Sequence, residues 1–560
     1  MASYSRLPIL LLTVGAAMSC FGQLSADQKK ADFRELADRF AKNYAPYEWK
    51  KTAVKFDAFQ IGPWLTRAGA TKDDLEYYDL CVEYVSSLFD AHDYYRLPST
   101  FTASLGFTVD IFDGKVLIDS IDTVRLPAAV FAAKEGDELV SVDGKTAEEW
   151  MKQLARYALG GNMTSNRRDA AGLMVSRAQA VYPYAHKIGD EAEVVFKNEA
   201  GEAKTVKLPW RKRGTALETM TSPAPIAMAA TVNRGIDDND PQGYLKYLEN
   251  KANLLADTRW RAMVRGYGVK EPVFTLPAEF EATVGLGRTD TVYGGIITYQ
   301  EKKIGYLRLA QFSGAGAARQ VRDALTSFKD RTDALVLDVT RNPGGSACMV
   351  EEVAGELMTE KWQVQGAEQM VKWRDILAIQ SSLDFARLVG DAASVAILEF
   401  DLAAYEKAFR EGRTRTAPIP FCGTSIDKEP PRAGDGAPRA YAKPVLVLID
   451  EFSTSAAEHL AALLQDNGRA KLFGKRTTGA GGAVITLSTG PYAEGQTSIT
   501  WTLTNRSKNV VTTEYPEAPY IENIGVRPDI EFEMNTAENL KAKGKVYVEA
   551  FLQAVMGLMQ

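Results

Sequence analysis

The chain has 560 residues, 46% hydrophobic and 25% charged, with 66 Lys+Arg against 72 Asp+Glu and a net charge of −6. This length suggests about three or four domains, and the composition is that of an ordinary globular protein. A mildly acidic balance without a long basic run argues against nucleic acid as the main partner. Four cysteines and three histidines, with no CxxC or HExxH pair, argue against a zinc site and a disulfide framework.

Residues 1–22 hold one basic residue, Arg6, a short apolar stretch from Leu7 to Met18, and the exit Ser19-Cys20-Phe21-Gly22. This is the form of a secretory signal rather than a membrane span, which needs about 20 apolar residues. Cys20 is a candidate for lipid attachment, although Met18 stands where leucine is preferred. No other window is long and apolar enough to span a bilayer. The expectation is an exported chain, periplasmic or extracellular, with no transmembrane span once the signal is removed.

A helical region follows over 23–98. Phe33, Leu36, Ala37 and Phe40 repeat at helical spacing, as do Leu75, Leu80, Val82, Val85 and Leu88. The chain turns at Asp90-Ala91-His92-Asp93 and is extended near Leu97-Pro98. Residues 99–211 read as short strands with one helix. Ser104-Leu105-Gly106-Phe107 opens a strand, Lys115 to Asp119 follows an Asp113-Gly114 turn, and a helix starts at Ala147. Glu193–Phe196 and Lys204–Leu208 then form a hairpin. The arrangement resembles a PDZ domain, and that resemblance implies that N–H groups near Leu105, Gly106 and Phe107 receive a peptide's terminal carboxylate by strand addition.

Residues 212–290 form a connecting region with one predicted helix, Tyr244 to Leu255, and no functional reading. From 291 to 535 strands and helices alternate: Ile304–Leu309, a helix over Ala317–Phe328, Ala334–Val339, a helix from about Ala347, Pro444–Ile449, and a helix over Ser455–Gln465. Nearly unbroken apolar strands separated by helices predict an α/β core. An excursion over about 362–439, helical and then Pro/Gly-rich, has the length of a lid or cap. Residues 536–560 read as a C-terminal helix.

Two loops that follow core strands are placed for chemistry. Asp338-Val-Thr-Arg341-Asn342-Pro343-Gly344-Gly345 exposes backbone N–H groups ahead of a helix, where anionic oxygen is favoured. Asp450-Glu-Phe-Ser453-Thr454-Ser455-Ala456-Ala457-Glu458 puts serines between a buried strand and an Ala/Leu-rich helix. A serine there serves either as an N-cap or as a nucleophile beside free N–H groups. The segment lacks GxSxG, which excludes the hydrolase nucleophile elbow. Gly468 to Arg476 looks like a phosphate loop but has five residues between its glycines and Arg476 where Ser/Thr is needed, which excludes nucleotide binding.

Together with Gln465-Asp466-Asn467-Gly468-Arg469-Ala470, Gly474 to Gly479 and Ile521-Glu522-Asn-Ile-Gly525-Val526, these loops resemble the S41 family of serine peptidases. That family holds the tail-specific, or C-terminal-processing, proteases and a tricorn-like branch, and the resemblance spans most of the chain. It implies a multidomain α/β fold: an N-terminal helical region, a PDZ-like β-rich domain, and a ClpP/crotonase-like core with a helical insertion. It also implies Ser455 as nucleophile, an oxyanion hole from Ala456 with Gly344 or Gly345, a polypeptide substrate, and no metal or organic cofactor.

The sequence departs from the processing proteases where their lysine base belongs, at Gly479-Ala480-Gly481. A hydroxyl without a base is a poor nucleophile. The tricorn-like branch instead uses a histidine from the loop after the N-terminal helices and a late glutamate, which His92 and Glu522 match, while Ala91 replaces that branch's serine. The expected enzyme is a serine endopeptidase with Ser455, His92 as general base and Glu522 orienting it. Two rivals stand beside this: a catalytically inactive binding protein on the same fold, and a Ser/Lys peptidase using Lys475. His459, one helical turn beyond Ser455, is expected to pack behind the site, and His186 to lie at the surface.

Overall fold

The structure, a computed structural model, describes residues 23–217, 266–287 and 290–559 apart from 315, 435 and 494. The signal-like segment 1–22 and the predicted helix from Tyr244 to Leu255 lie outside the described residues. Among the described residues, no helix is long and apolar enough to cross a membrane.

The unbroken apolar runs become the centre of a seven-stranded sheet. Its order is Phe280–Val284, Val292–Tyr299, Lys302–Leu309, Ala334–Asp338, Val445–Ile449, Lys471–Gly474 and Ile530–Glu531. The first three strands pair antiparallel and the rest parallel, with Leu337 opposite Val447 and Val447 opposite Leu472. The sheet therefore begins at Phe280, inside the stretch that reads as a connecting region.

Alternation along each strand serves two cores, because successive side chains point to opposite faces. Leu335, Leu337, Val447 and Leu472 pack with Leu460 and Leu463 of the Ala456–Asp466 helix. Val336, Leu446, Leu448 and Phe473 pack with Tyr547 and Phe551 of the C-terminal Lys545–Gly557 helix. Loops leaving the carboxyl ends of neighbouring parallel strands collect at one edge, which sets the loops after Asp338 and Ile449 side by side.

Four helices, Ala26–Asn43, Tyr47–Ala53, Ile61–Ala70 and Asp74–Ser86, form the N-terminal region. Ser25 and Gln28 cap the first reciprocally. Phe33, Leu36, Phe40 and Tyr84 share one core with Leu105, Val109 and Leu173 of the PDZ-like domain. The strand Tyr94–Arg96 pairs with Gln496–Thr500, which ties the N-terminal region to the last third of the chain.

In the PDZ-like domain the sheet runs Phe107–Phe112, Lys115–Ile121, Glu138–Val142, Glu191–Lys197 and Ala203–Pro209, with helices Ala147–Leu154 and Met163–Leu173. Ser104 does not open the Phe107 strand as the sequence suggests. Thr102–Ser104 belongs to a separate small sheet, and Gly106, at φ +93°, breaks the chain direction between the two.

The excursion forms a helical hairpin, Trp373–Val389 and Ala392–Arg410. Its flanks are stitched in: Gly366–Gln369 pairs with both Ile419–Pro420 and Thr502–Val510. Cysteine usage needs a correction. Cys348, on the helix after Gly345, is disulfide-bonded to Cys422 at the end of the excursion, 74 residues away. The composition argued against a disulfide framework, and pairing across that distance has no local spacing signature.

Candidate active site

Ser455 sits at the tip of a sharp turn between the Val445–Ile449 strand and the Ala456–Asp466 helix. Its backbone, at φ +57° and ψ −119°, occupies a region that costs a non-glycine residue about 1–3 kcal/mol. Of the two serines in the turn, Ser453 is fully buried and consumed structurally, its hydroxyl donating to Val339 O at 2.8 Å while accepting from Asp450 N–H at 3.0 Å. Ser455 and Glu458 form a capping box: the Ser455 side chain faces the Glu458 N–H, and Ser455 N–H donates to Glu458 Oε2 at 2.9 Å.

The glycine loop is pressed onto this turn. A Cβ on Gly344 would come within 2.6 Å of Ser455 Cβ and 3.0 Å of Ala456 N, so only glycine fits. Asn342 holds the two loops together. Its Oδ1 accepts Gly344 N–H at 2.8 Å, its Nδ2 donates to Leu309 O, and its own carbonyl accepts Thr454 N–H. Gly344 N–H is thereby used. Phe312 and Gly345 meet as a parallel bridge, whose bonds run from Phe312 N to Gly344 O and from Ser346 N to Phe312 O. That pattern leaves Gly345 N–H free, and Ala456 N–H at the helix start is also without an acceptor among the described residues.

Glu458 sits behind the turn, fully buried. Besides Ser455 N–H, its carboxylate accepts from Thr477 Oγ1 at 2.6 Å, Gly479 N at 2.7 Å and Ala480 N at 2.8 Å. Burial raises its pKa and these four bonds oppose the rise. Ala480, which takes the lysine's place, is itself buried against this carboxylate.

His92 lies in the Asp90–Asp93 loop, its N–H bonded to Asp90 Oδ1 at 2.9 Å and its Nδ1 buried without a partner. Burial lowers its pKa, with Asp90 opposing and Lys50 assisting. It is within electrostatic reach of His459 on the nucleophile helix, whose pKa falls to about 4 through burial and the charge of His92. His459 is buried against the Phe421 ring at 5.4 Å, and His186 bonds Gln179 in the PDZ-like domain. No hydrogen bond joins Ser455 to His92 among the described residues.

Glu522 is not bonded to His92. Its Oε1 accepts from Lys50 Nζ at 2.5 Å and its Oε2 from Gly481 N at 3.1 Å. Burial and Asp90 push its pKa up to about 8, against Lys50 and Gly481. Lys50 is a buried partner of Glu522 that the sequence did not single out, since nothing in Trp49-Lys50-Lys51 distinguishes it from a surface lysine. Lys475 is removed from the chemistry: its ammonium pairs with Glu531 at 2.8 Å and Glu533 at 3.5 Å.

The PDZ-like domain touches this site directly. Asn162 Nδ2 donates to Thr477 O and Thr478 O, and Asn523 Nδ2 to Gly161 O. Arg168 bonds both Asp110 oxygens, at 3.0 and 2.6 Å, and reaches Glu451 Oε2 at 2.7 Å, four residues before Ser455. In the Leu105–Phe107 loop, Leu105 N–H already donates to Val175 O. Asp122 N–H bonds Gly106 O, and in that register Phe107 N–H points away from the neighbouring strand.

Comparison with known proteins agrees with this layout. Residues 303–532 match the model for peptidase family S41 and residues 101–219 the model for a PDZ domain. A Chlamydia trachomatis serovar D protein is 23% identical over 601 aligned residues, covering 96% of this chain and 94% of that one. A carboxyl-terminal-processing protease of Synechocystis sp. is 23% identical over 261 residues, 46% of this chain and 44% of that protein. The structure of mature CPAF complexed with lactacystin superposes with a TM-score of 0.74 at 20% identity, covering 95% of this chain and 99% of CPAF, and so shares the fold. The multidomain α/β architecture with a PDZ domain thus stands, and the S41 peptidase domain over residues 303–532 makes the chain a serine-type peptidase that acts on polypeptides.

Proposed function

We propose that the chain is an exported endopeptidase that cleaves peptide bonds through an acyl-enzyme on Ser455, with His92 as general base. The observation that carries this reading is the Ser455 turn: a serine in a strained conformation at a helix start, beside the N–H groups of Ala456 and Gly345, which have no acceptor among the described residues. Ser455 Oγ attacks the scissile carbonyl carbon as His92 takes the hydroxyl proton, and the oxyanion is held by Ala456 and Gly345 N–H. Because Gly344 N–H is taken by Asn342, Gly345 is the contributing glycine. Collapse expels the amine with the proton from His92, and water, deprotonated by His92, releases the acid and restores Ser455.

Export is supported by the signal-like start and by the Cys348–Cys422 disulfide, which belongs to oxidising compartments. The PDZ domain is read as a recogniser of polypeptide C-termini, with Gly106 and Phe107 rather than Leu105 available to the carboxylate. Covalent labelling of Ser455 by a fluorophosphonate tests the nucleophile, and lactacystin, bound in a CPAF structure, is a second probe. Unlabelled Ser455 in a folded protein, or hydrolysis surviving Ser455→Ala near the wild-type rate, refutes the assignment.

A further inference from the structure

A buried cluster behind His92 holds three carboxylates, Asp90, Asp93 and Glu522, around one cation among the described residues, Lys50. Lys50, from the short Tyr47–Ala53 helix, is fully buried, and its Nζ donates to Phe89 O at 3.0 Å, Glu522 Oε1 at 2.5 Å and Asn523 Oδ1 at 2.7 Å. With its Nζ committed to three acceptors, Lys50 does not serve as the base. Each acceptor belongs to something the site needs. Phe89 precedes the His92 loop and is itself held at φ +50°. Glu522 also takes Gly481 N–H from the loop strapped to Glu458. Asn523, at φ +61°, donates to Phe89 O and to Gly161 O of the PDZ domain, and accepts from Trp49 Nε1.

We propose that Lys50 is a positioning residue for proton transfer at Ser455, gripping the His92 loop and the Glu522–Asn523 segment together and setting the charge the imidazole feels. The proposal rests on the Ser455–His92 reading. The loss of a buried ion-pair partner leaves an uncompensated charge, which gives Lys50 an electrostatic role that packing alone cannot supply. The groups facing the cluster are Asp90 and Asp93, Tyr44, which donates to Asp90 Oδ2 at 2.9 Å, Glu522, and His459 from the nucleophile helix. Asp93 is turned away, its Oδ1 accepting Thr500 N–H at 2.8 Å and Thr500 Oγ1 at 3.0 Å, and burial with Asp90 raises its pKa. Lys50 lowers the pKa of both His92 and Glu522, so removing its charge moves both upward.

The test compares Lys50→Met, Lys50→Gln and Trp49→Phe in the full chain, with active sites counted by fluorophosphonate labelling. Per active site, Lys50→Met is expected to lower kcat at least about tenfold with KM within about twofold, and to move the pH dependence of kcat/KM about one unit alkaline. Lys50→Gln, which keeps an amide donor for Phe89 or Asn523, carries the same pH shift and stands in if the methionine variant does not fold. Trp49→Phe removes a bond to the same Asn523 without touching the charge, and lowers melting temperature with no change in the profile. A wild-type profile in either lysine variant, or failure of both to fold, overturns the proposal and makes Lys50 a folding residue only. Failure of the underlying reading looks different: Ser455 does not label, or His92→Ala stays active, whatever Lys50 does.

Discussion

Glu458, at N3 of the helix that Ser455 caps, accepts the N–H of Ser455 at 2.9 Å and so holds Ser455 in its strained conformation. The same carboxylate fastens Thr477, Gly479 and Ala480, the loop where a lysine base is replaced by alanine. Glu458→Ala removes the acceptor from four buried donors at once. At about 1–3 kcal/mol for each unsatisfied group, less what water recovers, the expected loss is about 3–5 kcal/mol, read as a lower urea midpoint. Labelling of Ser455 by fluorophosphonate should slow as the turn relaxes. An unchanged midpoint together with an unchanged labelling rate would remove Glu458 from this role.

The pH dependence of hydrolysis follows from two shifted groups. His92 must be neutral to accept the Ser455 proton, and burial lowers its pKa, so the acid limb of kcat/KM is expected below the unperturbed 6.5. Burial and Asp90 raise the Glu522 pKa to about 8, so if Glu522 supports His92 as proposed, a second rise is expected near pH 8. Glu522→Gln should erase the upper rise and leave the lower limb. His92→Ala should cut kcat by several orders of magnitude while Lys475→Ala is mild, given its pairing with Glu531. A profile that rises only above pH 9, with full activity in His92→Ala, contradicts this assignment.

His459 gives a separate prediction, for stability rather than rate. Its pKa is about 4 in the folded chain against 6.5 when free, so between those values the unfolded state binds more protons. Stability linked to this residue is complete above about pH 6.5 and is lost as pH falls toward 4, by roughly 3 kcal/mol in all. His459→Phe should flatten that loss, narrowing or reversing any deficit against wild type at pH 4.5 relative to pH 8. Parallel pH–stability curves for the two proteins would show that His459 is not the group responsible.

The parts of the site that sequence makes legible are those written locally. Buried strands such as Val445–Ile449 announce themselves by unbroken apolar runs, and the loops at their ends, with Gly344, Gly345 and Ser455, follow by position. Glu458 was within reach too, since Ser455-x-x-Glu458 ahead of an apolar helix is a capping-box spacing. Lys50 was not, because its partner Glu522 is 472 residues away and only folding brings them together. The break at Gly106 was hidden for another reason. Thr102–Ser104 and Phe107–Phe112 are separated only by Leu105 and Gly106, and nothing local says they enter different sheets.

Arg168 ties Asp110 of the PDZ domain to Glu451 ahead of the Ser455 turn, and its energetics are testable by composite substitution. It is almost completely buried, bonded to Asp110 and Glu451, with its guanidinium 4.3 Å from the centre of the Phe452 ring. Arg168→Met alone should cost about 3–5 kcal/mol, because buried Glu451 loses its ion-pair partner and Asp110 is left with Arg341 at 3.8 Å. Adding Asp110→Leu and Glu451→Leu should recover most of that, since burying charges costs nearly what their pairing returns. Additive losses across the three substitutions in denaturant titrations would mean the charges do not act as one unit.

The disulfide yields the last prediction. Cys348 lies three residues past Gly345, and Cys422 follows Phe421, whose ring covers His459. The bond therefore fixes the end of the 362–439 excursion against the helix that follows the oxyanion loop. On the chain-entropy model, closing a loop across this 74-residue separation stabilises the fold by about 4 kcal/mol, and the measured value for such a bond is typically about 2–4. Cys348→Ser with Cys422→Ser should lower stability by that amount and match wild type held in reductant. Because Phe421 would be freed from its anchor, water would reach His459, raising its pKa toward 6.5 and weakening the acid-side loss of stability described above. If the double serine variant shows the wild-type midpoint in oxidising buffer, or if reductant shifts the midpoint of the variant as much as that of wild type, the bond does not hold the excursion in place.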